Sequence, residues 1–194
     1  MGIDPGEKMG LVVTDYYPNE GWKVRFRTTY LIQQPPPNST NLHYAQQIAS
    51  FFKDPEIAGW VATSDKIIIE RQFTTTGALL NSHLMMNYLV AVLEYQFPGK
   101  AVLLGSNTVK SFFFSSEEKR TYSARKKAAT VKAETAFESD VLVNRPGESR
   151  LHDESDAYLL ICAYLVETSP KLKKEANKRA RERSTMRRKA KTAK

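Results

Sequence analysis

Apolar and polar positions divide the chain into short extended runs first and helical runs afterwards. Gly10-Leu11-Val12-Val13-Thr14 is apolar and β-branched, and Trp22 to Ile32 alternates well enough to be a strand. Between them lies Tyr17-Pro18-Asn19-Glu20-Gly21. This is turn chemistry, because Pro presets φ while Asn and Gly tolerate positive φ. Residues 2–33 therefore read as a β-hairpin continued by a third antiparallel pass, with Met1-Gly2-Ile3-Asp4 as a strand segment of its own. Pro35-Pro36-Pro37-Asn38-Ser39 is a stiff linker that cannot continue a sheet.

The period then changes. Leu42, Ala45, Ile48, Ala49 and Phe52 recur at helical spacing, which predicts an amphipathic helix over residues 41–53. Lys66-Ile67-Ile68-Ile69-Glu70 suits a buried parallel strand. Gly77 to Phe97 reads as a long apolar helix stopped by Pro98-Gly99, and Ala101 to Gly105 as another buried strand. A Lys-rich helix is expected from about Tyr122 to Glu138. A final helix runs from about Asp153 to Glu167, where Ala157, Leu160, Ile161, Tyr164 and Leu165 make an apolar stripe. Antiparallel strands first and βα units later predict an α/β fold, a mixed sheet with helices on its faces.

Composition changes this picture at one end. Residues 170–194 hold seven Lys and five Arg against Glu175 and Glu182, a net +10; the whole chain is +8, so residues 1–169 carry −2. The chain thus reads as one domain, 1–169, with a basic tail, 170–194. The tail has helix-forming residues but almost no apolar stripe, so it is expected to be a solvated helix or disordered until it meets an anion. Nucleic-acid phosphates are the usual partner of such a segment, an acidic membrane surface the competing one, and Arg187-Arg188-Lys189-Ala190-Lys191 also suits nuclear localisation. The single Cys162, inside an apolar run, excludes an internal disulfide and a Cys-based zinc site. With no signal-peptide pattern and no apolar stretch of membrane-spanning length, the expected setting is a reducing, intracellular compartment without a membrane partner.

Candidate chemistry rests on four carboxylates. Asp4 precedes Pro5-Gly6, Glu70 ends the most apolar strand, and Asp153 and Asp156, three apart at the start of the last helix, share a face. A carboxylate at the end of a buried strand is costly unless it is paired or binds a metal. Acids meeting from separate elements repel each other, and a divalent cation with oxygen ligands relieves that repulsion. Taken singly each has an ordinary reading: Asp153 or Asp156 as a helix cap or first-turn acid, Glu70 paired with Arg71 or Lys66, Asp4 in a turn.

Together these segments resemble the RuvC-type Holliday junction resolvases. Ile3-Asp4-Pro5-Gly6 with Gly10-Leu11-Val12-Val13 resembles the family's opening. Ile68-Ile69-Glu70-Arg71-Gln72 resembles its second acidic strand, and Asp153-Glu154-Ser155-Asp156-Ala157 its terminal acidic helix. Tyr122-Ser123-Ala124-Arg125-Lys126-Lys127-Ala128-Ala129 is similar to the poxvirus and mitochondrial branch. The resemblance covers residues 2–167 and implies an RNase H-like five-stranded mixed sheet. It implies that Asp4, Glu70, Asp153 and Asp156 bind Mg²⁺, or Mn²⁺ in its place, as the catalytic acids of an endodeoxyribonuclease. It further implies a homodimer making paired cuts across a four-way DNA junction. Lys126 and Lys127 would then approach the scissile or adjacent phosphates, and Phe73 would meet an unpaired base.

Other candidate DNA contacts are His152, beside the acidic pair, and Lys173, Lys174, Arg179, Arg183, Arg187 and Arg188 in the tail. The helix around Met85, Met86, Tyr88, Leu89, Val92 and Leu93 is apolar nearly all round, which fits either a dimer interface or a central buried helix. Three other functions compete: an RNase H-fold nuclease acting on flaps, branched DNA or RNA-containing substrates; an inactive DNA-binding relative; and an ATP-binding protein of the actin and sugar-kinase type. The last needs two domains and a second Gly-rich loop, which this chain does not offer.

Overall fold

In the computed structural model, residues 1–6, 8–17, 20–33, 42–71, 80–138, 151–178, 181 and 185 are described. Five strands form one mixed sheet: β1 (Gly2–Asp4), β2 (Lys8–Tyr17), β3 (Gly21–Leu31), β4 (Ile67–Arg71) and β5 (Ala101–Gly105), in the spatial order β3-β2-β1-β4-β5. The first three strands are antiparallel; β1, β4 and β5 run parallel. The hairpin closes through Glu20 N–H donating to the Tyr17 carbonyl at 3.2 Å, and Gly21 takes φ 87°, where an L side chain would be strained. Pro18, Asn19 and the Pro35–Ser39 linker lie outside the described residues.

Helices cover both faces of the sheet. On one side are α1 (Leu42–Lys53), α2 (Pro55–Thr63) and α3 (Leu80–Gln96), packed over Ile3, Met9, Leu11, Val13, Ile67 and Ile69. On the other are α4 (Ser106–Phe113), α5 (Tyr122–Glu138) and α6 (Leu151–Thr168), packed over Val12, Val24, Ile68 and Leu104. Because side chains alternate along a strand, this division also sorts the polar residues. Ile3, Ile67 and Ile69 enter the first core, so Gly2, Asp4, Ile68 and Glu70 face α6.

Two helices were not expected from periodicity. For α2 the signal was present: Asp54 accepts from the Glu56 and Ile57 N–H groups, Pro55 opens the first turn, and Ile57 and Val61 are buried four residues apart. For α4, β5 runs straight into the helix with Gly105 at the cap and no side-chain cap bond, so the sequence carried no start signal. The expected helix from Gly77 begins at Leu80, with residues 72–79 outside the described set. Its apolar surplus is largely spent inside: Met85, Met86, Leu89 and Leu93 are buried, with Tyr88, Val90 and Val92 packed against them, while Tyr95 stays exposed. The last helix starts at Leu151, two residues before Asp153.

Residues 170–178 are helical as well. Ser169 opens this segment, its hydroxyl accepting from the Leu172 N–H at 3.4 Å, with Pro170 in the first turn. Among the described residues no helix is long and apolar enough to cross a membrane. Cys162 is buried and its thiol is pushed up to about 12 by burial, leaving it inert.

Candidate active site

Two glycines bring α6 down onto the sheet. A Cβ at Gly10 would collide with the Asp153 carbonyl, and one at Gly2 would collide with that of Ala157, four residues further along the same helix. Without those side chains the first turns of α6 lie directly on β1 and β2. Gly10 is the register partner of Asp4, so the close approach happens beside that carboxylate. A second tie holds the same end of the helix. Glu154 accepts from Arg27 Nη1 at 2.8 Å and from Thr29 Oγ1 at 3.3 Å, a largely buried contact between α6 and β3. Burial pushes the Glu154 carboxyl up despite its Arg27 partner.

The parallel register of β1 and β4 pairs Ile3 with Ile69, and one step further sets Asp4 next to Glu70. Their carboxyls hydrogen-bond each other. Asp4, Glu70, Asp153 and Asp156 all line one open cavity of about 620 Å³ at this end of the sheet. Three elements distant in the chain therefore deliver four carboxylates to one place. Asp4 is held well above the usual carboxylate range, first by burial and then by the negative charges of Glu70 and Asp156. Glu70 is raised too, chiefly by burial, with the hydrogen bond to Asp4 working the other way.

Opposite them stands Lys126. On α5, Lys126, Ala129 and Ala133 share one face; the two alanines are fully buried against α6, so the helices approach closely and the lysine is carried over the acids. Its Nζ donates to Asp156 and lies 3.5 Å from Asp153 and 3.9 Å from Asp4. Burial alone would lower its pKa; the carboxylates of Asp156 and Asp4 outweigh that and raise it. Lys8, Lys110, Arg125 and Tyr122 line the same cavity, so basic side chains stand beside the acids. Tyr122 is 66% exposed, with the Arg125 guanidinium 5.5 Å from its ring. The sequence did not single out Lys8 or Lys110, and it marked Tyr122 and Arg125 only as part of the Tyr122–Ala129 segment without a role, since nothing in their local pattern shows that separate segments meet.

The other candidates among the described residues do not line the cavity. Lys127 is exposed on α5 and does not line it. His152, in the first turn of α6, pairs through Nδ1 with Thr130 Oγ1 at 2.8 Å and does not line it either. Lys173 pairs with Glu167 at 2.8 Å, and Lys174 is exposed. Phe73, Arg179, Arg183, Arg187 and Arg188 lie outside the described residues.

The donor set suits a hard divalent cation: oxygen ligands only, partly desolvated, already sharing a hydrogen bond to limit their repulsion. Yet among the described residues no three acidic, His or Cys side chains stand in position to hold an ion. The place between the carboxylates is taken by the Lys126 ammonium.

No protein-family model matches the chain, and no curated protein matches it. Solved structures do. Yeast mitochondrial Holliday junction resolvase Ydc2 superposes with a TM-score of 0.62 at 16% identity, over 91% of this chain and 82% of Ydc2. Fowlpox virus resolvase, solved with Holliday junction DNA, gives 0.53 at 12% identity, over 86% and 96%. Thermus thermophilus RuvC, solved with a Holliday junction substrate, gives 0.52 at 14% identity, over 84% and 92%. The fold is an RNase H-like α/β fold. This chain shares that fold with these three resolvases.

Proposed function

We propose that this protein is a metal-dependent endonuclease that cuts four-way DNA junctions. The observation that carries the reading is the meeting of Asp4, Glu70, Asp153 and Asp156 in one open cavity, on a fold shared with three Holliday junction resolvases. Asp4, Glu70, Asp153 and Asp156 would hold Mg²⁺, or Mn²⁺ in its place. Held there, the metal would supply Lewis-acid activation of a water and stabilisation of the leaving oxygen in phosphodiester cleavage.

The chain's own residues do the rest. Lys8, Lys110 and Arg125 in the cavity attract the phosphates and draw the strand across the acids. The Arg27–Glu154 pair and the Gly2 and Gly10 contacts keep α6 at the depth where Asp153 and Asp156 reach Asp4. Lys127 and Lys173, Lys174, Arg179, Arg183, Arg187 and Arg188 of the tail add charge that holds DNA without choosing a sequence. The domain spans residues 1–169 with the tail as an appendage, and it acts as a homodimer, because paired cuts on opposite arms of a junction call for two sites.

A synthetic four-way junction incubated with Asp4→Asn, Glu70→Gln and Asp156→Asn proteins tests the site. Each should lose cleavage by about 10²–10³-fold, as when a group stabilising transition-state charge is removed, while junction affinity stays within a few-fold. Folded variants that all lose binding would contradict the assignment of these acids to metal.

A further inference from the structure

We infer that Lys126 is a built-in counter-cation that holds the metal's place, so that a divalent ion can enter only when the ammonium withdraws toward DNA. The inference rests on the metal-site reading above and adds to it a coupling between metal and DNA.

Lys126 Nζ touches three of the four carboxylates, hydrogen-bonding Asp156 and lying 3.5 Å from Asp153 and 3.9 Å from Asp4. The lysine side chain is only 16% exposed. A desolvated ammonium is held there by its partners, and the partners in turn depend on it, since like charges brought together in a desolvated site repel strongly. Among the described residues no group of three acids stands ready to hold an ion, and the ammonium lies within 3.9 Å of three of the acids that would do so. The ammonium and a divalent ion therefore compete for one position.

The lysine has somewhere to go. Its backbone is fixed by Ala129 and Ala133 against α6, but its stem is four carbons long and flexible. Lys8, Lys110 and Arg125 line the same open cavity, where a nucleic-acid strand would bring phosphates. A phosphate there gives Lys126 a new partner and leaves the carboxylates short of one cation, which a divalent ion supplies. DNA and metal should therefore each strengthen the binding of the other, as linkage requires of two ligands that favour the same state.

The test is Mn²⁺ binding by calorimetry, with wild-type protein, Lys126→Met and Lys126→Arg, alone and with a four-way junction carrying uncleavable linkages. Without DNA, Lys126→Met should bind Mn²⁺ on the order of tenfold more tightly than wild type, a usual size for coupling between sites. Lys126→Arg, which keeps the charge, should stay weak. Junction DNA should tighten Mn²⁺ binding to wild type by a similar factor and change Lys126→Met little. If Lys126→Met folds only with Mn²⁺ while Lys126→Arg folds without it, the same exchange is seen as stability. Equal Mn²⁺ affinity in wild type and Lys126→Met, or no Mn²⁺ binding by any of the three, overturns the inference. The coupling and the nuclease reading fail separately: tighter Mn²⁺ binding by Lys126→Met with no junction cleavage by wild type leaves the coupling standing and removes the function.

Discussion

Burial first, and then the negative charges of Glu70 and Asp156, hold the Asp4 carboxyl well above its ordinary value of 3.8. In the unfolded chain it loses its proton near that value. The stability that the folded state gains by keeping the proton is complete below about pH 4 and disappears as pH rises through the folded-state pKa. Asn at this position stays neutral and can still donate to Glu70. In EDTA, the melting temperature of Asp4→Asn minus that of wild type should therefore grow as pH rises from 4 to 8. A difference that stays flat or shrinks would show that Asp4 ionises as freely when folded as when unfolded. The carboxylate pair was readable in the sequence as two acids on separate segments. Their adjacency was not, because it depends on the register of β1 against β4.

At the scale of elements, the site is made by how deeply α6 lies on the sheet. Gly10 has ordinary backbone geometry, and its role is to be absent: a methyl there meets the Asp153 carbonyl and stands 2.8 Å from the Glu154 N. Gly10→Ala should destabilise the fold by about 1–3 kcal/mol, the usual cost of overpacking, in thermal or urea unfolding. It should also cut junction cleavage more than junction binding, since α6 carries two of the acids. Full activity in the substituted protein would mean that the helix can lift without moving them.

The sequence made most elements legible, because the alternation of β2 and β3, the apolar runs of β4 and β5 and the stripe of α6 each answer to one period. It missed α4, whose start has no side-chain cap, and passed over the Asp54-Pro55 signal of α2. Arg27 meeting Glu154, 127 residues away, has no local trace at all. Lys126 was named as a phosphate contact, and its place among the acids was missed; Ala129 and Ala133, small residues at helical spacing, mark the close helix approach that puts it there.

For the whole molecule, charge is divided between a body of net −2 and a basic end. Residues 170–194 carry +10 in a chain of +8. If the tail neutralises 6–10 phosphates, affinity falls by roughly 10³–10⁵ between 50 and 200 mM salt. Deleting residues 170–194 should weaken junction binding and flatten that dependence, leaving the cut positions where they were. Shifted cuts would give the tail a part in choosing the site.

The measurement that bears most directly on the nuclease reading is cleavage by the purified protein of a four-way junction, a flap, a linear duplex and an RNA–DNA hybrid, with Mg²⁺ and with EDTA. Paired, Mg²⁺-dependent cuts near the crossover of the four-way junction, with the other substrates left largely intact, are expected. A well-folded protein that binds the junction yet cuts none of the four in Mg²⁺ or Mn²⁺ would contradict it.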